Sequence, residues 1–194
     1  MTVLDEMFQR LERMPVPEGY KVEIVGGAVH RAPQRDIHRE TIRMILWALE
    51  DRFGRQAGLL SDVRIDFPGH RNGFCPDVAK IRDGARKDGR GEWRHQDVEF
   101  VAEVVSKGTA QNDHASEKAA YALAEAPVHL IADPHVRRCR LFTHPGNGAC
   151  VSDTSVGYGG EVDMTATPAG PVLKTDGFPR DRLLLHRAHS KSLA

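Results

Sequence analysis

The sequence predicts an α/β or α+β domain with a mixed central β-sheet flanked by helices. Three observations predict it. The run Phe100-Val101-Ala102-Glu103-Val104-Val105-Ser106 is the densest apolar stretch of the chain, and such a run between polar segments reads as a buried strand. Around it the periodicity changes in the order helix, hairpin, helix, strands, helix, strands, the pattern of a layered sheet-and-helix domain. The chain has 194 residues, 40% hydrophobic and 28% charged, which is enough apolar material for one core without staples.

Taken in order, residues 2–14 predict a short amphipathic helix. Leu4, Met7, Phe8 and Leu11 recur at helical spacing, and Thr2 with Asp5 forms a capping-box signature. Pro15 and Pro17 end it. Tyr20 to Val25 alternates as a strand, Gly26-Gly27 signals a hairpin turn, and Ala28 to Ala32 is the return strand. Asp36 is expected to cap a long helix to about Phe53, with Ile42, Ile45, Leu46, Leu49 and Phe53 on its apolar face. Leu59 to Phe67 and Phe74 to Ile81 predict two strands separated by a turn at residues 68–73. The polar stretch Arg82 to Gln96 predicts a solvated loop anchored by Trp93. A sharper alternative is a flexible basic loop (Arg82, Arg86, Lys87, Arg90, Arg94) that touches a phosphate backbone.

The central strand spans Val98 to Ser106, and a helix from Asp113 to Glu125 follows. Val128 to Ala132 is a short buried strand closed by Asp133-Pro134. Arg138 to Thr143 and Ala149 to Thr154 form a further hairpin with Gly146-Asn147-Gly148 at its tip. From Val156 onward the chain is Gly/Pro-rich with short β-like pieces, and it ends in a basic, Leu-rich segment from Arg180 to Arg187.

Lys+Arg and Asp+Glu both number 27, so a nucleic-acid surface would have to be a local patch. Three cysteines, Cys75, Cys139 and Cys150, form no CxxC pair, which argues against a zinc site or a disulfide framework. The first residues lack the basic and apolar regions of a signal peptide, and no apolar run approaches the length of a membrane span. The expected location is the cytoplasm.

Glu103 carries the chemical argument. Burying an isolated carboxylate is costly, so it needs a basic side chain or a metal beside it. Asp77, after Pro76, converges with Glu103 if their strands are neighbours. Two adjacent carboxylates repel unless a cation sits between them, and oxygen ligands suit Mg2+ or Mn2+ rather than zinc. Such a cation activates water and polarises a phosphoryl oxygen, and a nearby lysine stabilises developing charge. Lys118 is the expected lysine, with Lys107 second. Each residue also has a plainer reading: Asp77 as a turn residue, Glu103 in a buried salt bridge with Lys118, Lys118 on a solvated helix face, Glu23 on an edge hairpin, His38 as a surface helix-start residue, and Tyr121 in packing.

Pro76-Asp77, Glu103-Val-Val-Ser106, Asp113, Lys118, Tyr121 and Ile131-Ala-Asp133-Pro134 occur in an order that resembles the Uma-type restriction-endonuclease family of the PD-(D/E)XK nuclease superfamily. Tyr20 to Val29 is similar to that family's opening hairpin, with Gly26 where the family usually has Asp. His38 matches the histidine that begins its next helix. The resemblance covers residues 18–145. It implies one nuclease-like domain over residues 1–194, with an N-terminal helix in 1–17 and a β-rich extension in 146–194. It further implies a restriction-endonuclease-like core and Mg2+- or Mn2+-dependent cleavage of DNA by a homodimer. By position, Asp77 and Glu103 are the implied metal ligands, Glu23 a third acid, and His38 and Lys118 further catalytic residues. The superfamily places a lysine two residues after the acid, where this chain has Val105. That departure keeps open a second function: a nuclease-like module that holds nucleic acid or a protein partner without cutting. A metal-dependent hydrolase of another substrate is a third.

Overall fold

In the computed structural model, which describes residues 2–69, 71–106 and 113–180, helix α1 (Val3–Glu12) leads into the hairpin β1 (Tyr20–Val25) and β2 (Ala28–Pro33). Helix α2 (Asp36–Phe53) follows, then the short strands β3 (Leu59–Leu60), β4 (Ile65–Phe67), β5 (Asn72–Phe74), β6 (Val78–Ile81) and β7 (Trp93–Arg94). A 3-10 turn (His95–Asp97) leads into the central strand β8 (Val98–Val104), followed by α3 (Asp113–Leu123) and β9 (Val128–Asp133). Then come the long hairpin β10 (Arg138–Gly146) and β11 (Ala149–Gly157) and the ribbon β12 (Glu161–Asp163) and β13 (Val172–Lys174). Lys107 and residues 181–187 of the basic tail lie outside the described residues.

The strands form two main sheets. One has the order β11-β10-β9-β8-β6-β3 and the other β2-β1-β5-β4-β7. The first is mixed: β8 and β9 run parallel, and their neighbours pair antiparallel. Period-2 alternation sends β8 side chains to opposite faces. Phe100, Ala102 and Val104 join Ile42, Ile45 and Leu49 of α2 in one core cluster. Val101 joins a second cluster with Ala120 and Tyr121 of α3 and Phe67 and Phe74 of the other sheet. Glu103, two residues beyond Val101, therefore belongs to the face shared with α3 and the five-stranded sheet. The β12–β13 ribbon packs on the α2 side through Val162, Met164 and Leu173.

Several sequence expectations change in detail. The strand expected from Leu59 to Phe67 is two strands in different sheets, with the chain turning at Asp62, whose φ is +56°. The strand expected from Phe74 to Ile81 divides likewise, so Asp77 lies in the junction before β6. Asp36 is the first helical residue rather than the cap, which is Arg35 without a side-chain cap bond. The expected loop of residues 82–96 contains β7, which runs parallel to β4.

Thr2 caps α1 as expected. The Thr2 N–H donates to Asp5 Oδ2 at 2.6 Å, and the Asp5 N–H donates to Thr2 Oγ1 at 3.2 Å. Arg64 then donates to Asp5 Oδ1 at 2.9 Å and lies over the Phe8 ring, tying α1 to the segment before β4. The Thr2 backbone bond holds the Asp5 carboxyl well below the usual range; burial opposes it, and Arg64 lowers it further. A depressed carboxyl contributes stability above the pH at which it ionises in the unfolded chain, and loses it as pH falls below that. Asp5→Ala should cost about 1–2 kcal/mol at pH 7, the range of a lost cap. The gap from wild type should narrow at pH 3; urea unfolding at the two pH values checks it.

Candidate active site

The two sheets meet over a group of buried ionisable side chains. Asp77 is 1% exposed and Glu103 2% exposed, so neither is a surface residue. Asp77 reaches its place because the β6–β8 ladder ends at Val78↔Ala102. The next free donor of β8, the Val104 N–H, is taken by Asp77 Oδ2 at 2.7 Å. His38, in the first turn of α2, places Nε2 3.2 Å from the same oxygen. Glu103 Oε1 accepts a 2.5 Å hydrogen bond from the Tyr121 hydroxyl of α3.

The remaining oxygens converge on one ammonium. Lys21 Nζ lies 3.1 Å from Asp77 Oδ1, 2.9 Å from Glu103 Oε2 and 3.3 Å from Glu23 Oε1. Glu23 is also anchored by the Cys75 N–H at 2.8 Å. Lys21 and Glu23 are both buried, on the face of β1 whose Val25 packs in the cluster that holds Ala120 and Tyr121 of α3. Their i, i+2 spacing places both on one face of the strand.

The electrostatics follow from this crowding. Burial alone would lower the Lys21 ammonium, but Asp77, Glu103 and Glu23 overcome it and hold the group well above its ordinary value. Burial opposes Asp77 ionisation too, yet Lys21 and His38 bring it down to about 2. Burial pushes Glu103 well above the carboxylate range, and Glu117, Asp77 and Glu23 add to the push against Lys21. Glu23 is pushed up to about 7, chiefly by burial. Asp77 is thus the settled anion of the group, and Lys21 its settled cation.

The structure therefore brings together Asp77, Glu103, Glu23 and His38. Lys118 is elsewhere: its ammonium lies 3.9 Å from the centroid of the Phe142 ring. Helix α3 turns Glu117, Ala120 and Tyr121 inward at i, i+3 and i+4, and Lys118 lies off that buried face. Lys21 stands where the sequence reading expected Lys118, as the basic partner that Glu103 requires. Tyr121, read as packing, also holds Glu103. Tyr121→Phe should cost about 1–3 kcal/mol, the penalty for leaving a buried polar oxygen short of a donor; thermal and urea unfolding measure it.

The donor chemistry fits a hard divalent cation. Asp77 Oδ1 and Glu103 Oε2 are carboxylate oxygens already sharing one positive charge. Among the described residues no set of three or more His, Cys, Asp or Glu side chains is arranged to hold a metal by itself. A two-carboxylate site completed by water and substrate phosphate is the mode Mg2+ favours.

Two of the five basic residues in the loop of residues 82–96 have acidic neighbours. Arg82 pairs with Asp97, and Arg90 lies 3.1 Å from Asp88 and 3.5 Å from Asp66. These residues line a polar cavity of about 700 Å³ together with Trp93, Arg94 and His95. The three cysteines are unbonded, with Cys75 and Cys139 buried. Among the described residues no helix is long and apolar enough to cross a membrane.

The fold is shared with a crystal structure described as that of a putative nuclease belonging to DUF820 from Anabaena variabilis ATCC 29413. The TM-score is 0.66, covering 92% of this chain and 97% of that one at 14% identity. At that identity the likeness is one of fold. Comparison with curated proteins finds no match. The family model described as Uma2, putative restriction endonuclease, matches residues 5–171. The chain belongs to the Uma2 family of putative restriction endonucleases.

Proposed function

We propose that the protein is a Mg2+- or Mn2+-dependent endonuclease that hydrolyses phosphodiester bonds in DNA. The observation that carries this is the convergence of Asp77 Oδ1 and Glu103 Oε2 on one positive charge inside a nuclease-family fold. Asp77 and Glu103 would hold the cation. When bound, it would supply Lewis acidity toward a phosphoryl oxygen and an acidified water.

The chain's own residues supply the rest. His38 and the Val104 N–H fix one Asp77 oxygen and leave Oδ1 to face the cation. Tyr121 does the same for Glu103, leaving Oε2. Such fixed orientation lowers the cost of assembling the reacting geometry. Lys21 provides the site's lysine charge, and Glu23 anchors it from the same strand. The proposed setting is a single cytoplasmic domain acting as a homodimer, because cutting both strands of a duplex needs two such sites.

The test is calorimetric titration of Mn2+ into wild type and into Asp77→Asn, which keeps the shape and removes the charge. Wild type should bind and the variant should not. A wild type that binds no Mn2+, alone or with a DNA duplex present, would overturn the proposal. It would favour the module that holds nucleic acid without cutting, with Lys21 alone balancing Glu103.

A further inference from the structure

Lys21 and a divalent cation would need the same atoms. Asp77 Oδ2 is engaged by the Val104 N–H and His38, and Glu103 Oε1 by Tyr121. The oxygens left are Asp77 Oδ1 and Glu103 Oε2, and Lys21 Nζ holds both. We propose that Lys21 is a resident counter-ion, which occupies the cation's place between Asp77 and Glu103 and is displaced when a divalent ion binds. The inference rests on the cation site proposed above and adds a specific role for a residue of the opening hairpin.

Charge balance favours the exchange. Three carboxylates stand within 3.3 Å of a single ammonium. The buried Glu117 of α3 adds to the negative field. One ammonium cannot balance all three acids in their ionised form, and a buried charge deficit is costly. A doubly charged ion corrects more of it than an ammonium does, whereas a monovalent ion offers nothing that Lys21 lacks.

The strand geometry permits the exchange. Lys21 belongs to the five-stranded sheet, while Glu103 is in the six-stranded one and Asp77 in the junction that enters it. The backbone of Lys21 pairs with Ala32 of β2, so withdrawal of the side chain breaks no ladder bond. The lysine stem has four flexible carbons, and its ammonium carries three rotatable donors. Once displaced, the same charge remains beside the site for an anionic phosphate. An arginine or a short basic residue would not combine that reach with that release.

The test is Mn2+ affinity by calorimetry for wild type, Lys21→Met and Lys118→Met. Lys21→Met should bind Mn2+ at least about tenfold tighter than wild type, because the competing ammonium is gone. Lys118→Met, which removes a charge lying over Phe142, should stay within about threefold, since a more distant charge is screened. Equal or weaker binding by Lys21→Met, with wild type still binding, overturns the displacement and leaves the cation site standing. A comparable gain in Lys118→Met also overturns it, because bulk charge would then explain the effect. No binding in any of the three overturns both the displacement and the cation site. Should Lys21→Met be unfolded in EDTA, folding restored by Mn2+ but not by Na+ at equal ionic strength reads the same exchange. A variant that stays unfolded in saturating Mn2+ overturns it.

Discussion

Replacing Lys21 with methionine should lower the unfolding free energy in EDTA by about 3–5 kcal/mol, the range for removing one partner of a buried ion pair. That is a large part of the roughly 5–15 kcal/mol that stabilises an ordinary domain. Methionine preserves the unbranched apolar stem, so little of the loss comes from packing. What changes is that Asp77, Glu103 and Glu23 lose the ammonium they share. The effect is asymmetric. Removing one of three acids relieves a surplus, so Glu103→Gln should cost only about 1–2 kcal/mol, mainly from its altered hydrogen bond with Tyr121. Urea unfolding of the two variants beside wild type gives the comparison. If Lys21→Met unfolds within about 1 kcal/mol of wild type, below the range for a broken buried pair, Lys21 is not the counter-charge of the group.

Glu103→Gln should fold and yet lose DNA cleavage by at least about a hundredfold, the scale on which a single preorganised electrostatic group acts in a transition state. Glutamine keeps the shape that fills the space between Tyr121 and Lys21. It retains one oxygen but carries no charge, so it binds a divalent cation poorly and leaves Asp77 as the single anionic ligand. Stability and activity therefore separate: Lys21→Met is the variant that loses stability, and Glu103→Gln is the folded variant that fails to cut. Initial rates of plasmid nicking, measured after circular dichroism confirms the fold, distinguish this from a loss caused by misfolding. Wild-type rates in Glu103→Gln would remove Glu103 from the chemistry.

The acids of the site were legible in the sequence, but their lysine was not. Glu103 stood out because its flanks are apolar on both sides, so the strand had to be buried and the charge had to be met. Asp77 followed from the need for a partner at a neighbouring strand. Lys21 is hidden in the sequence because a hairpin reads as a sheet edge with one solvated face. The sheet order makes β1 an interior strand, and the face that carries Lys21, Glu23 and Val25 is covered by the α3-side cluster. The available signal was that i, i+2 spacing, a basic and an acidic residue on one face of a strand with apolar neighbours.

Lys118 lies on the right helix, but helix periodicity sets it one residue past the inward-facing Glu117. The i, i+4 pair Glu117 and Tyr121 marks the buried face better. The broken strands around residues 59–81 were illegible for another reason. Alternation continues through a chain that changes sheets, and the left-handed turn at Asp62 leaves no strong compositional mark.

Incubation of supercoiled plasmid with the purified wild-type chain in Mg2+ or Mn2+, and in parallel with EDTA, tests the central claim most directly. The carboxylate pair of Asp77 and Glu103 predicts nicked or linear product with the metals, none with EDTA, and none from Asp77→Asn prepared identically. Intact plasmid in both metals, or equal cleavage by Asp77→Asn, would contradict it.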